Sequence, residues 1–213
     1  VLDGAAREDA LGVMKRLAQH VKDQTTQQAD APWGEPVENY YDEALFDAEI
    51  QTLFKRIPLP LALSAELPGK NTYKAMEAAG VPVVITRDAK GEVHAMLNIC
   101  RHRGALICGQ GYGEARALTC PYHAWSYGLD GVLKVAPGTE CLPDFRKEDF
   151  GLTSIGIEYF AGFWYFNCDA NAPSLASTTG TLAADVERFA PDIEKLTFSR
   201  RLSYTIKANW KAV

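Results

Sequence analysis

Apolar side chains near the start of the chain recur at helical spacing. Leu11, Met14, Leu17, Ala18 and Val21 share one face, with Lys15, Arg16, Gln19, His20 and Lys22 opposite. The pattern predicts a helix over residues 1–30 and places His20 on its solvated side. A polar stretch ending in Pro32, Gly34 and Pro36 breaks it. A second helix is expected over 43–55, stopped by Pro58 and Pro60. From residue 81 the period falls to two. Strands are predicted over 81–86, 93–100, 115–120, 125–127, 132–135, 154–159 and 162–167, with turns at Asp88 to Gly91, Asp130-Gly131 and Ala161-Gly162. In the 93–100 strand, Val93, Ala95, Leu97 and Ile99 share one face; His94, Met96, Asn98 and Cys100 share the other. Short strands at this density indicate an antiparallel β domain. A Ser/Thr/Ala-rich link over 171–180 leads to a short helix over 182–189, ended by Pro191. The most regular alternation comes last, with Leu202, Tyr204, Ile206, Ala208 and Trp210 on one face of a strand predicted over 201–211. A strand with one aromatic face needs a sheet to cover it, so the chain is expected to run on into a second unit. The organisation expected is 1–40 (helix and linker), 41–170 (β domain) and 171–213 (linker, helix and first strand of a further domain).

Composition narrows the function without naming it. The 213 residues are 47% hydrophobic and 23% charged, the balance of an ordinary globular protein. With 22 basic against 27 acidic residues the net charge is −5, which argues against a general nucleic-acid or membrane-surface binder. No apolar run approaches the roughly 18 residues a membrane helix needs. The start has no apolar segment of a signal peptide, and it begins at Val1, so further residues are expected upstream. Five cysteines, an odd number without framework spacing, exclude a disulfide scaffold and point to a reducing, cytoplasmic setting.

Two of the five cysteines and two of the four histidines fall at set offsets: Cys100-x-His102 and, after an intervening loop, Cys120-x-x-His123. Gly104, Gly109, Gly111 and Gly113 let the first loop fold tightly, and Pro121 stiffens the second. Such a set suits zinc or an iron–sulfur centre. Structural zinc prefers like ligands paired along the chain, Cys with Cys and His with His. Here each loop offers one of each. Placing both cysteines on one iron and both histidines on the other gives a Rieske 2Fe–2S centre. Two ferric ions and two sulfides carry a charge of plus two, which two thiolates neutralise; four thiolates would leave the cluster anionic and harder to reduce. Arg101, Arg103 and Arg116, against Glu114 alone, add local positive charge in an acidic chain. Tyr122, Trp125 and Tyr127 are expected to wall the second loop. Cys108, Cys141 and Cys168 have no partner at ligand spacing, and His94 reads as a packed or surface histidine. The Gly109-x-Gly111-x-Gly113 run precedes no helix and is not a nucleotide loop.

With Asn98-x-Cys100-Arg101-His102-Arg103-Gly104 and Cys120-Pro121-Tyr122-His123-Ala124-Trp125 in place, the chain resembles the α subunits of Rieske non-haem iron aromatic-ring-hydroxylating oxygenases. Respiratory Rieske proteins carry an extra cysteine in each loop; Ala105 and Tyr122 stand there in this chain. The resemblance is clearest over 40–168 and reaches weakly to Asn209-Trp210-Lys211. It implies a mainly β, antiparallel Rieske domain with N-terminal helices, followed by a short helix and the first strand of an incomplete α+β catalytic domain. It implies a 2Fe–2S cluster on Cys100, His102, Cys120 and His123, reduced by a ferredoxin or reductase. The cluster would pass electrons to a mononuclear Fe(II) site that uses dioxygen to hydroxylate an aromatic substrate. It also implies a homo-oligomer, a trimer, with or without a β subunit. No histidine follows His123, so the two-histidine, one-carboxylate iron site of that family is expected outside these residues. A stand-alone Rieske electron carrier and a zinc-stabilised binding module are the alternative readings.

Overall fold

The computed structural model describes residues 4–169 and 171–213. Helix α1 (Gly4–Asp23) forms where the spacing predicts it, but its stripe of Leu11, Met14, Leu17 and Val21 stays exposed and only Ala6 is buried. Helix α2 (Glu43–Glu49) starts at Asp42, whose Oδ1 accepts the Leu45 N–H at 2.9 Å, and opens into a π turn over Ile50–Phe54. Together they cover the predicted second helix.

Among the described residues ten strands follow: β1 (Leu59–Leu63), β2 (Thr72–Ala78), β3 (Val81–Arg87), β4 (Val93–Leu97), β5 (Gly111–Glu114), β6 (Leu118–Thr119), β7 (Ser126–Tyr127), β8 (Leu133–Val135), β9 (Ser154–Phe160) and β10 (Phe163–Asn167). Seven form one antiparallel sheet in the order β1-β10-β9-β4-β3-β2-β5, and β6-β7-β8 form a small second sheet. The alternation along β3 divides two cores: Val84 enters the one beneath the small sheet, while Val83 and Ile85 enter the one against β1 and β10. Strand β4 ends at Leu97, short of the predicted 93–100, and obeys the predicted faces, with Met96 in the first core and Ala95 in the second; Cys100, beyond its end, also enters the first core. The Thr86 hydroxyl donates to the Leu129 carbonyl at 2.6 Å and ties the sheets together.

Three strands were not foreseeable from alternation. Strand β1 contains Pro60, and its pairing with β10 shifts register there, the sort of place where a sheet edge tolerates proline. Strand β5 has two glycines in four residues and pairs with β2, so the predicted 115–120 strand shortens to Leu118–Thr119. Strand β2 buries a lysine. Lys74 Nζ lies 2.8 Å from Glu66 Oε2 with both side chains almost inaccessible, and it also donates to the Leu61 carbonyl. Glu66 further accepts the Leu63 N–H at 3.0 Å and pairs with Arg201. A lysine with that many partners can lie inside a sheet that would otherwise exclude it.

The other correction falls at the end of the chain. Helices α3 (Leu175–Thr178) and α4 (Leu182–Phe189) follow the β domain, the latter at the predicted position. Residues 201–208 form no strand and pair with none among the described residues; Leu202, Tyr204 and Ile206 stay exposed, and a short 3-10 turn over Trp210–Ala212 follows. Alternation shows a segment that could be a strand, and only a partner makes it one.

Removing one member of a buried pair strands the other's charge. Lys74→Met is expected to cost about 3 kcal/mol of unfolding free energy, and Lys74→Met with Glu66→Gln less than the sum of the two, measured by chemical denaturation. Burial alone would raise the Glu66 carboxyl, but hydrogen bonds from Lys74 and the Leu63 N–H, with the charges of Lys74 and Arg201, hold it below its ordinary 4.5. A carboxyl depressed by folding stabilises above its ordinary range and loses that contribution as pH falls through its folded value. Below about pH 5 the stability of Glu66→Gln should therefore fall less steeply than that of the wild type.

Candidate metal centre

The two loops singled out by the sequence are tips of neighbouring hairpins with one backbone design. After β4, Ile99 and Leu106 make a single bridge, and the Cys100 N–H donates to the Ala105 carbonyl at 2.8 Å. The Gly104 N–H turns back to the Cys100 carbonyl at 3.0 Å. Between β6 and β7 the pattern repeats, Cys120 N–H to Trp125 carbonyl at 2.8 Å and Ala124 N–H to Cys120 carbonyl at 3.0 Å. The fourth residue after each cysteine takes the left-handed conformation, with φ +72° at Gly104 and +58° at Ala124. Glycine adopts it freely; alanine does so at a cost. Asn98 pins the return of the first loop, its Nδ2 donating to the Cys108 carbonyl at 2.7 Å and its Oδ1 accepting the Cys108 N–H at 3.0 Å.

These hairpins bring the four candidate residues together. Cys100 and Cys120 are buried at 3% exposure, while His102 lies at the surface and His123 is half-buried. The two imidazoles meet edge to face with centroids 4.8 Å apart. His102 stacks on Trp125 at 4.8 Å and 10°, and Tyr122 lies against His123 at 3.8 Å. Partial desolvation, then His123 and the positive Arg103, hold the His102 imidazole below its ordinary value, in the neutral form that can donate a lone pair to a metal.

Two features go beyond the sequence reading. The Tyr127 hydroxyl lies 3.3 Å from Cys100 Sγ and accepts the Arg101 N–H at 3.1 Å, so it touches the first loop although it belongs to the second hairpin. Burial and the neighbouring Cys100 push its pKa up, which keeps the proton on the oxygen, where it can be offered to the Cys100 sulfur. Nothing in local spacing marked it, since that contact crosses 27 residues. Tyr122, expected as a wall against solvent, is 59% exposed; Trp125 and Tyr127 are the buried ones. Among the described residues Arg101, Arg103 and Arg116 pair with no carboxylate and stand exposed around the loops. Cys108, Cys141 and Cys168 lie apart from the four as free thiols, the last two exposed. His94, in β4, faces Asp88 of the β3–β4 turn at 3.4 Å, and His20 meets Thr25 at the end of α1.

The donor set fits a two-iron cluster. The buried Nδ1 of His123 has no hydrogen-bond partner, and leaving a buried polar atom unmatched costs about 1–3 kcal/mol unless something coordinates it. Two buried sulfurs and two imidazoles on separate loops also match the thiolate-plus-imidazole chemistry of such a group. The strained alanine in the second loop makes a separate prediction. Ala124→Gly relieves roughly 1–2 kcal/mol of left-handed strain and gives the unfolded chain about 0.4–1 kcal/mol of extra freedom. A net gain of about 0.5 kcal/mol is expected, measured by urea unfolding of both proteins in the same metal state.

Comparison with known proteins agrees with this geometry. The Rieske [2Fe-2S] domain family matches residues 58–146. The chain is 34% identical over 174 residues to the glycine betaine monooxygenase oxygenase subunit of Pseudomonas aeruginosa, covering 82% of this chain and 40% of that protein. It is 33% identical to the anthranilate 1,2-dioxygenase large subunit of Acinetobacter baylyi, covering 81% of this chain and 38% of that protein. The solved apo structure of a quaternary ammonium Rieske monooxygenase, CntA, superposes with a TM-score of 0.80 at 31% identity, over 85% of this chain and 53% of that one. The chain thus spans about two fifths of the length of these two curated relatives. Among the described residues no helix is long and apolar enough to cross a membrane. Residues 58–146 thus carry a Rieske [2Fe-2S] domain, and over four fifths of its length the chain is similar to the oxygenase subunits of Rieske enzymes.

Proposed function

We propose that Cys100 and Cys120 hold one iron, and His102 and His123 the other, of a Rieske 2Fe–2S cluster, and that the chain is the electron-transfer part of an oxygenase. It would take electrons from a ferredoxin or reductase and deliver them to a mononuclear non-haem iron that uses dioxygen to hydroxylate a substrate. The observations that carry this reading are the meeting of the two imidazoles at 4.8 Å, the burial of both cysteines, and the buried, otherwise unmatched His123 Nδ1. When bound, the cluster supplies a one-electron carrier that is easier to reduce than one held by four thiolates. The residues around it have separable tasks. Tyr127 offers a proton to the Cys100 sulfur, Trp125 fixes the plane of His102, and Asn98 locks the first loop. Exposed Arg101, Arg103 and Arg116 suit an acidic electron donor. The relatives are named for a quaternary ammonium substrate and for an aromatic acid, so the shared part carries electrons and substrate choice lies with the catalytic part. Assembly as a trimer belongs to the same proposal.

The test is an iron and sulfide count with visible and reduced-state EPR spectra of the purified protein. Two irons and two sulfides per chain in this segment, with the signal of a histidine-ligated cluster, are expected; a colourless zinc protein would sink the reading. His123→Cys should lower the reduction potential, since it replaces a neutral ligand with a thiolate. Tyr127→Phe should keep the cluster and lower its potential by about 60 mV, for a hydrogen bond that favours the reduced state roughly tenfold in a one-electron couple. An unchanged potential in redox titrations of Tyr127→Phe would remove the hydroxyl from the tuning.

A further inference from the structure

The Asn209-Trp210-Lys211 sequence takes no part in the metal centre, yet it makes some of the most specific contacts outside it. Lys211 Nζ lies 2.6 and 2.7 Å from the two carboxylate oxygens of Glu49, and the Trp210 indole N–H donates to Glu49 Oε2 at 2.9 Å. Both charged side chains are mostly covered, at 13% exposure for Glu49 and 21% for Lys211. The Trp210 ring meets Phe54 edge to face at 5.1 Å, and Lys211 Nζ sits 5.4 Å from the Trp210 centroid. Asn209 Oδ1 accepts the Lys211 N–H at 3.1 Å and sets the turn.

The receiving surface is shaped for this. Glu49 and Phe54 are five residues apart, which on a regular α-helix would aim them roughly 140° apart. The π turn over Ile50–Phe54, closed by the Lys55 N–H to the Ile50 carbonyl at 3.1 Å, intervenes, and both residues meet Trp210. Upstream, Arg201 is held on the buried Glu66. Between these holds Leu202, Tyr204 and Ile206 remain exposed. The segment is fastened at its two ends and exposed between them.

We infer that Glu49 is a positioning residue: it latches Trp210 and Lys211 onto the α2 end of the domain and so fixes the direction in which the chain leaves the electron-transfer part. This rests on the functional reading above, because a fixed exit matters most where an electron must cross a set distance to the next site.

The latch is tested in the full-length protein by hydrogen exchange of residues 209–213, alongside reduced-state EPR and a redox titration of the cluster. Glu49→Gln keeps the shape and removes the charge, and should speed exchange there on the order of tenfold, with EPR signal and potential unchanged. Lys211→Met, which alters nothing within the cluster domain, should do the same. Exchanging the charges, Glu49→Lys with Lys211→Glu, re-forms the ion pair but offers the Trp210 indole N–H no acceptor at position 49, and should restore part of the protection. Unchanged exchange in both single variants overturns the proposal. So does loss of the cluster in Glu49→Gln, which would make Glu49 a support of the domain itself, and so does failure of the charge exchange to restore protection. If the wild-type protein gives no Rieske signal, the functional reading falls, and the exchange measurement still decides whether the latch exists.

Discussion

The hydroxyl of Tyr127 is where the two hairpins of the candidate metal centre are joined. The residue belongs to β7, yet its oxygen accepts the Arg101 N–H and reaches the Cys100 sulfur of the other hairpin. Each hairpin shapes its own tip by backbone hydrogen bonds alone, but those bonds say nothing about how far apart the tips lie. That distance comes from the Tyr127 contact and from the core beneath it, where Cys100, Cys120, Trp125 and Tyr127 pack with Leu118, Leu129 and Leu133. A buried phenol can make such a link only while it keeps its proton, and the same burial that makes it a strut keeps it protonated.

Much of this could be read from residue order, and the reason is local. The four candidate ligands are recognisable because each loop is short and its offsets reflect one tight turn. The faces of β4 are recognisable because a strand has a period of two, and Met96 and Ala95 fall as that period requires. What escaped the sequence is non-local. Strand β2 contains a buried lysine whose acceptability depends on Glu66 eight positions earlier and Arg201 far downstream. Strand β5 is glycine-rich and exists because β2 offers it an edge. Residues 201–208 show the opposite case, since the strongest alternation in the chain makes no strand where nothing pairs with it. Tyr127 falls in the same class, conspicuous as an aromatic and silent about its partner.

Carboxylates hold this chain together over long stretches of sequence. Glu66 gathers Lys74, the Leu63 N–H and Arg201, and Glu49 gathers Trp210 and Lys211. Neither lies among the candidate ligands. An acidic chain can use its excess of carboxylates this way because a lysine or arginine that finds one in a covered place gives up little hydration that is not replaced.

The path of the chain into and out of the β domain has a further consequence. Strand β1 leads in and β10 leads out, and the two are hydrogen-bonded neighbours, Leu59 opposite Phe166 and Leu63 opposite Phe163. Just outside them the Asn167 side chain donates to the Arg56 carbonyl at 3.2 Å. A unit whose doorway is a single pair of adjacent strands is portable. Evolution can set it into a host, lengthen the host on either side, or exchange one host for another, and the interior need not be rebuilt each time. The same domain can thus serve host proteins that have nothing else in common.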